Sequence, residues 1–281
     1  MVVTNNLPDN AIILSMFGRM GNNLFEIANG YCLSRETNRP FYLHLIDPIT
    51  KELKHDALDI INRFDCIYDA KLAEGSVLIE QPLNQEFFDA KKYISDTKKK
   101  YYIAGYFQDE MYFKKYEKEI KNLFYCPEFL KNMIYEKYGN LFDYVSITVR
   151  RGDYVKLGNL VPDDYYEKAY HQFFEGRKCI IISDDIEWCK KNIHIQNAVF
   201  CEKCENKEYS ALFDFYCGVF CRDHIITNST FSWWQAYLGD YGNSLIIAPY
   251  KWYICKYWEG VKAEIVPKRW VKFDSDTLIS H

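Results

Sequence analysis

The chain has 281 residues, is 48% hydrophobic and 17% aromatic, and carries a formal net charge of −4. That is enough apolar material for one large domain or two of about 100–150 residues. The acidic balance excludes general affinity for nucleic acid, whose phosphates want a basic face, so any anion binding should be local.

In chain order, "AIILSMF" (11–17) predicts a strand and "GRMGNN" a glycine loop. The following segment has apolar residues at Leu24, Ile27, Ala28, Tyr31 and Cys32, which is helical spacing. "FYLHL" (41–45), "SVLIE" (76–80) and "YYIAGYF" (101–107) predict strands. "DEMYFKKYEKEIKNLF" (109–124) and "PEFLKNMIYEKYG" (127–139) predict helices, the second with proline at its first turn and glycine as its stop. From 144 the pattern restarts: strand "YVSITVR", helix 163–176, strand "KCIIISDD", short helix "IEWCKKN", short strand "AVF", helix 207–220, strand "DHIITN", helix 229–242 and strand 244–249. This alternation predicts an α/β protein with parallel sheets covered by helices. Two domains are expected, 1–140 and 141–281, with the last helix available to pack back on the first. The lysine-rich "KKYISDTKKK" (91–100) reads as solvated surface.

The opening apolar run has no basic n-region before it, and no stretch reaches the ~18 apolar residues that span a bilayer. A cytoplasmic chain without an integral membrane segment is expected, with peripheral membrane contact left open. Ten irregularly spaced cysteines suit free thiols rather than a disulfide framework. Cys201 and Cys204 in "CEKC" offer two zinc ligands, but no second CxxC or HxxxH follows.

Ligands of open parallel sheets bind beyond the carboxyl ends of strands, and four such ends carry unusual polar sequences. "GRMGNN" leads Arg19 into a helix N-terminus, a natural anion site. Its G-x-x-G spacing, with Asp47 near the end of the second strand, only partly fits a dinucleotide fingerprint. "VRRGDY" puts two guanidinium forks and Asp153 at a strand end, suited either to phosphate or to an internal Arg–Asp pair. "ISDDIEW" offers Ser183, Asp184 and Asp185 as helix caps, or as acceptors for guanine or ribose. "TNSTFSWW" offers Asn228, Ser229 and Thr230 to phosphate, while Trp233 and Trp234 suit packing. Its "NST" also fits a glycosylation sequon, which a cytoplasmic chain would not use.

These stretches in this order resemble the bacterial α-1,2-fucosyltransferases, glycosyltransferase family 11. The matching motifs are "GRMGNNLFEIANG", "GYFQ" (105–108) with Tyr112–Phe113, "TVRRGDY", "SDD…W" and "NSTFSWWQAYL", spread over about residues 11–250. The resemblance implies a GT-B-like fold: two Rossmann-like domains with parallel sheets facing across a cleft, the N-terminal one on the acceptor side and the C-terminal one binding the GDP-sugar. It implies inverting transfer of L-fucose from GDP-β-L-fucose to the 2-hydroxyl of a galactoside in surface glycan or oligosaccharide synthesis, with no metal or other cofactor. Arg150 and Arg151 would be diphosphate arginines, joined by Arg19, Gly21 and Asn22. Asp184 would read guanine, and Ser229, Thr230 and Phe231 would line the phosphates. Where the family usually has histidine before x-R-R-G-D, this chain has Thr148, which cannot titrate near neutral pH.

Departure of GDP builds negative charge while the sugar becomes oxocarbenium-like, and preorganised cations can stabilise such charge by roughly 3–4 kcal/mol each. Arg150, Arg151 and Arg19 are expected to do the work of a metal. Asp153 is the candidate general base, with orientation of an arginine as its competing role. Gln108 and Tyr106, with Phe107, are candidates to face the acceptor. The alternatives are a non-catalytic nucleotide-sugar or glycan-binding homologue, a fucosyltransferase of other linkage, and a dinucleotide oxidoreductase built on the first strand–loop–helix.

Overall fold

The computed structural model describes residues 2–46, 58–204 and 206–276. They form two compact units, Met1–Phe124 with Gly260–Ile265, and Tyr125–Glu259 with Val266–His281. Asp47, weighed above as part of a dinucleotide fingerprint, lies outside the described residues.

The first unit runs β1 (Val2–Val3), β2 (Ile12–Ser15), α1 (Met20–Thr37), β3 (Phe41–His44), α2 (Leu58–Ile61), β4 (Asp65–Ile67), β5 (Val77–Glu80), β6 (Tyr101–Ala104) and α3 (Glu117–Leu123). Its sheet has the order β1-β4-β3-β2-β6-β5, with every pairing parallel. β2 is buried along its whole length, and α1 packs on β2 and β3. Gly30 is what lets α1 approach so closely, since a Cβ there would fall 2.1 Å from a Leu14 methyl.

The second unit runs α4 (Glu128–Tyr138), β7 (Val145–Val149), α5 (Gly152–Leu157), α6 (Tyr165–Phe173), β8 (Cys179–Ser183), α7 (Ile186–Asn192), β9 (Ala198–Phe200), α8 (Ser210–Val219), β10 (Asp223–Ile225), α9 (Thr230–Leu238), β11 (Ile246–Pro249) and β12 (Val271–Phe273). Its sheet, also all parallel, has the order β9-β8-β7-β10-β11-β12. Counted within the unit this is 3-2-1-4-5-6, the Rossmann order, with the direction of winding reversing between β7 and β10. Every residue of β7 and β8 is buried, which is why both read as near-continuous apolar runs. The expected α/β class with two parallel sheets is what the chain adopts.

Several boundaries differ from expectation. The units divide at 124/125 rather than near 140, because α4 packs on α8 of the second unit. The helix expected over 109–124 is instead two 3-10 turns, Glu110–Tyr112 and Lys114–Tyr116, followed by the short α3. Tyr112 is drawn out of helical register by tertiary bonds, its hydroxyl accepting from the Phe88 amide and Gln81. After α9 the described residues contain no further α-helix. The segment that joins the first unit is Gly260–Ile265. β1, β4, β12 and α5 were not anticipated, being two to six residues long with too little pattern to read.

Candidate functional site

Each sheet presents two polar loops where its strand order reverses. In the first unit these follow β2 and β6, and in the second β7 and β10. Such switch points open a crevice between loops that leave in opposite directions.

In the first unit, Arg19 is exposed at the N-cap of the 18-residue α1, whose first-turn amides of Asn22 and Asn23 donate to its carbonyl. Gly21 is buried in that first turn. Gly18 has φ +62°, and a Cβ there would fall 2.3 Å from Asn22 Nδ2, so the loop needs glycine twice over. Across the switch, Gln108 Nε2 donates to Asn22 Oδ1 at 3.0 Å, and Tyr106 packs its ring 5.7 Å from that of Phe17. Asn22 and Gln108, expected to serve different substrates, are bonded directly to each other. Between Tyr106 and Gln108, Phe107 is held at φ +48° while nearly fully buried. For a non-glycine residue that conformation costs about 1–2 kcal/mol. The Gln81 side chain accepts the Phe107 amide at 2.8 Å, and the ring packs edge-on to Tyr112, which together hold the turn.

In the second unit, Arg150 and Arg151 follow β7 directly. Arg150 lies between two carboxylates, Nη2 to Asp153 Oδ1 at 2.6 Å and Nη1 to Asp184 Oδ2 at 2.7 Å. Asp184 Oδ1 accepts the Arg151 amide at 2.9 Å. Both Asp184 oxygens, expected to read guanine, are thus engaged in bracing the arginines. Arg151 lies over the Trp188 ring at 3.7 Å and pairs at its edge with Asp163 and Asp185. Asp185 is the cap of α7, accepting from the Trp188 amide. Two guanidinium groups therefore meet four carboxylates here, so an anionic ligand competes with those carboxylates for the arginines' N–H donors. The internal Arg–Asp pair expected as one reading of "VRRGDY" is present, and it sits at the switch point.

On the other side of the switch, Ser229 caps α9 without a side-chain bond to the helix, Thr230 and Phe231 form the first turn, and Phe231 packs edge-on to Phe215. Ser232 fastens the turn by donating to the Thr227 and Ser229 carbonyls. Asn228 is buried, its amide shared between the Asn159 and Trp252 carbonyls, so its sequon is structural. Trp233 and Trp234 are fully buried, as expected of packing residues.

Thr148 is also buried and donates to Gln235 Oε1 of α9 at 2.7 Å. The imidazole of neighbouring β10, His224, pairs with Ser146 of β7, and burial pushes it down to about 4. It is neutral at physiological pH and belongs to the core. Cys201 and Cys204 are buried, with Cys201 Sγ 3.6 Å from Asp214 Oδ1. Among the described residues no three His, Cys, Asp or Glu side chains converge on a common point suited to a metal ion. Trp188, Glu26 and Asn23 fall inside the quoted motifs "SDD…W" and "GRMGNNLFEIANG" but carried no expected role. The usable signals were an aromatic one turn after the "SDD" strand end, and a carboxylate among the mostly apolar buried residues of α1.

The family profile described as glycosyl transferase family 11 matches residues 81–274. The O-antigen biosynthesis glycosyltransferase WbnK of Escherichia coli is 27% identical over 84% of this chain and 93% of that protein. An alpha-1,2-colitosyltransferase of Escherichia coli is also 27% identical, over 94% of this chain and 99% of its own. Galactoside alpha-(1,2)-fucosyltransferase 1 of Sus scrofa is 30% identical over 37% of this chain and 31% of that protein. Among solved structures, the fucosyltransferase NodZ from Bradyrhizobium superposes with a TM-score of 0.51 at 15% identity, covering 82% of this chain and 93% of that one. That last likeness concerns the fold. No helix among the described residues is long and apolar enough to cross a membrane. By its sequence match over most of its length, with two parallel α/β sheets of the GT-B class beneath it, the chain belongs to glycosyltransferase family 11.

Proposed function

We propose that the protein transfers L-fucose from GDP-β-L-fucose to the 2-hydroxyl of a galactoside, with inversion. The observation that carries this reading is the arginine pair at the β7/β10 switch point of a Rossmann-ordered sheet, inside the region matched by the family. Arg150 exchanges a carboxylate for the donor diphosphate and, with Arg151, stabilises the departing GDP. The α9 turn at Ser229, Thr230 and Phe231 lines the phosphates. Arg19, Gly21 and Asn22 are further donor contacts, and Tyr106 and Gln108 contacts for the acceptor. No metal is required. Asp184 and Asp153 hold the arginines in place; the 2.6 Å pair favours orientation over general-base catalysis for Asp153.

A second reading, transfer of colitose instead of fucose, is favoured by the relative of that activity aligned over 94% of this chain. Colitose lacks one ring hydroxyl that fucose carries, so the two donors differ by a single hydrogen-bonding group. One experiment tests both: GDP release from GDP-fucose and GDP-colitose, with and without galactosides, with EDTA present and with linkage analysis of the product. Fucose transfer to the 2-position that survives EDTA supports the proposal. Preference for GDP-colitose supports the second reading. Absence of release with either donor supports a non-catalytic binding protein. Arg150→Ala should abolish turnover without unfolding the chain; near-normal transfer by that variant would sink the proposed role of Arg150.

A further inference from the structure

Beneath the glycine loop lies a buried carboxylate that the proposed chemistry does not use. Glu26 lies on the second turn of α1 and is 2% exposed. Its carboxylate accepts the Phe17 amide with both oxygens, at 2.9 and 3.2 Å. It also accepts from Asn23 Nδ2 at 3.0 Å. The same Asn23 amide donates to the Phe17 carbonyl at 2.8 Å, and Asn23 is 1% exposed. Both polar groups of the Phe17 backbone are thus held from below by two side chains of the helix that the loop enters.

A buried carboxylate is expensive unless its oxygens are satisfied, and here the donors come from the loop and from a neighbouring side chain. The loop itself is short. Phe17 is followed by Gly18 in a left-handed conformation and then by Arg19 at the N-cap. Only Gly18 separates Phe17 from Arg19, so fixing the Phe17 backbone limits where the loop can enter the helix.

We propose that Glu26 is a positioning residue for Arg19: its buried carboxylate, with Asn23, fixes the Phe17 backbone and so the direction in which the loop presents the guanidinium. This rests on the reading of Arg19 as a donor contact. The helix carries its own anchor for the loop, and affinity for the donor depends on a side chain that never touches it.

The test is a double-mutant cycle read by GDP binding in calorimetry and by donor KM and kcat, with thermal melting in parallel. Glu26→Leu, which keeps much of the volume and removes the acceptors, is expected to weaken GDP binding about tenfold. Glu26→Gln, which keeps one acceptor oxygen, is expected to recover most of that loss. In an Arg19→Ala background, Glu26→Leu is expected to change GDP affinity less than twofold. An equal loss in both backgrounds overturns the inference and leaves the reading of Arg19 intact. Unchanged GDP affinity in Arg19→Ala alone overturns both. Should Glu26→Leu fail to fold, Asn23→Ala enters the same cycle, since it removes the bond to the Phe17 carbonyl and spares the carboxylate.

Discussion

Arg150 and Asp184 meet at 2.7 Å across neighbouring strand ends, and Gly152 is what gives them room. A Cβ on Gly152 would lie 2.5 Å from Asp184 Oδ2, the oxygen that holds Arg150. Gly152 starts α5 and does not have a positive φ, so alanine suits its backbone and adds up to ~1 kcal/mol of helix propensity. Gly152→Ala should therefore displace the Asp184 carboxylate without lowering Tm. The expected result is a donor KM raised roughly tenfold, about 1.4 kcal/mol, with unchanged melting. A KM within twofold of the parent would show that the brace is dispensable.

Asp153 can be assigned by its dependence on the acceptor. If it orients Arg150, Asp153→Asn lowers kcat equally for an ordinary galactoside and for one with a more acidic hydroxyl. Equal losses of about tenfold or more are expected, on the scale of other electrostatic contributions to charge development. Rescue by the acidic acceptor would instead make Asp153 the base.

The Arg151–Trp188 stack, at 3.7 Å, is close enough for a cation–π attraction of about 0.5–2 kcal/mol. Trp188→Leu should weaken GDP binding by roughly threefold to thirtyfold, and Trp188→Phe by clearly less. Titration calorimetry on the two variants checks the order.

Thr148→Val should cost stability more than activity. It removes the donor to Gln235 Oε1 in a buried setting, where an unsatisfied polar atom costs about 1–3 kcal/mol. A lower Tm is expected, with kcat/KM at moderate temperature within about threefold of the parent on the scale of one such bond. Loss of activity at unchanged Tm would give Thr148 a direct part in the reaction.

Burial pushes the Asp214 carboxyl from its ordinary 3.8 up to about 7, while the Cys201 thiol, Lys203 and Lys137 pull it partly back. Between those values the folded chain holds a proton that the unfolded chain has lost. Stability should therefore fall as pH rises through this window and stay low above it. Asp214→Asn should raise Tm at about pH 8 and have a much smaller effect at about pH 2.5, well below the unfolded carboxyl's range, where both states carry the proton. Melting curves across that range provide the check.

Much of this was legible in the chain. Long elements with strong patterns, such as α1, α4, β7 and β8, fall close to where their apolar residues put them, because burial imposes the period. The polar strand ends were legible as well: the loops after β2, β7 and β10 fall where their glycine, arginine and hydroxyl residues put them. β1, β4 and β12 were not legible, since strands of two or three residues owe their existence to a neighbouring strand. The 109–124 segment misled because its apolar spacing is helical while Tyr112 is recruited elsewhere.

By itself the sequence determined the class of fold, the family motifs and the charged residues available for an anion. Those depend on periodicity and residue type, which are local. Only the tertiary structure decided that Arg150 already has two carboxylate partners, that Asp184 braces rather than waits, that Asn22 bonds Gln108, and that Glu26 holds the glycine loop. Each of these pairs joins residues on different elements or turns, except Arg150 with Asp153. Spacing along the chain cannot say which hydrogen-bonding partner wins when several lie within reach; strand order and the room left by Gly18 and Gly152 do.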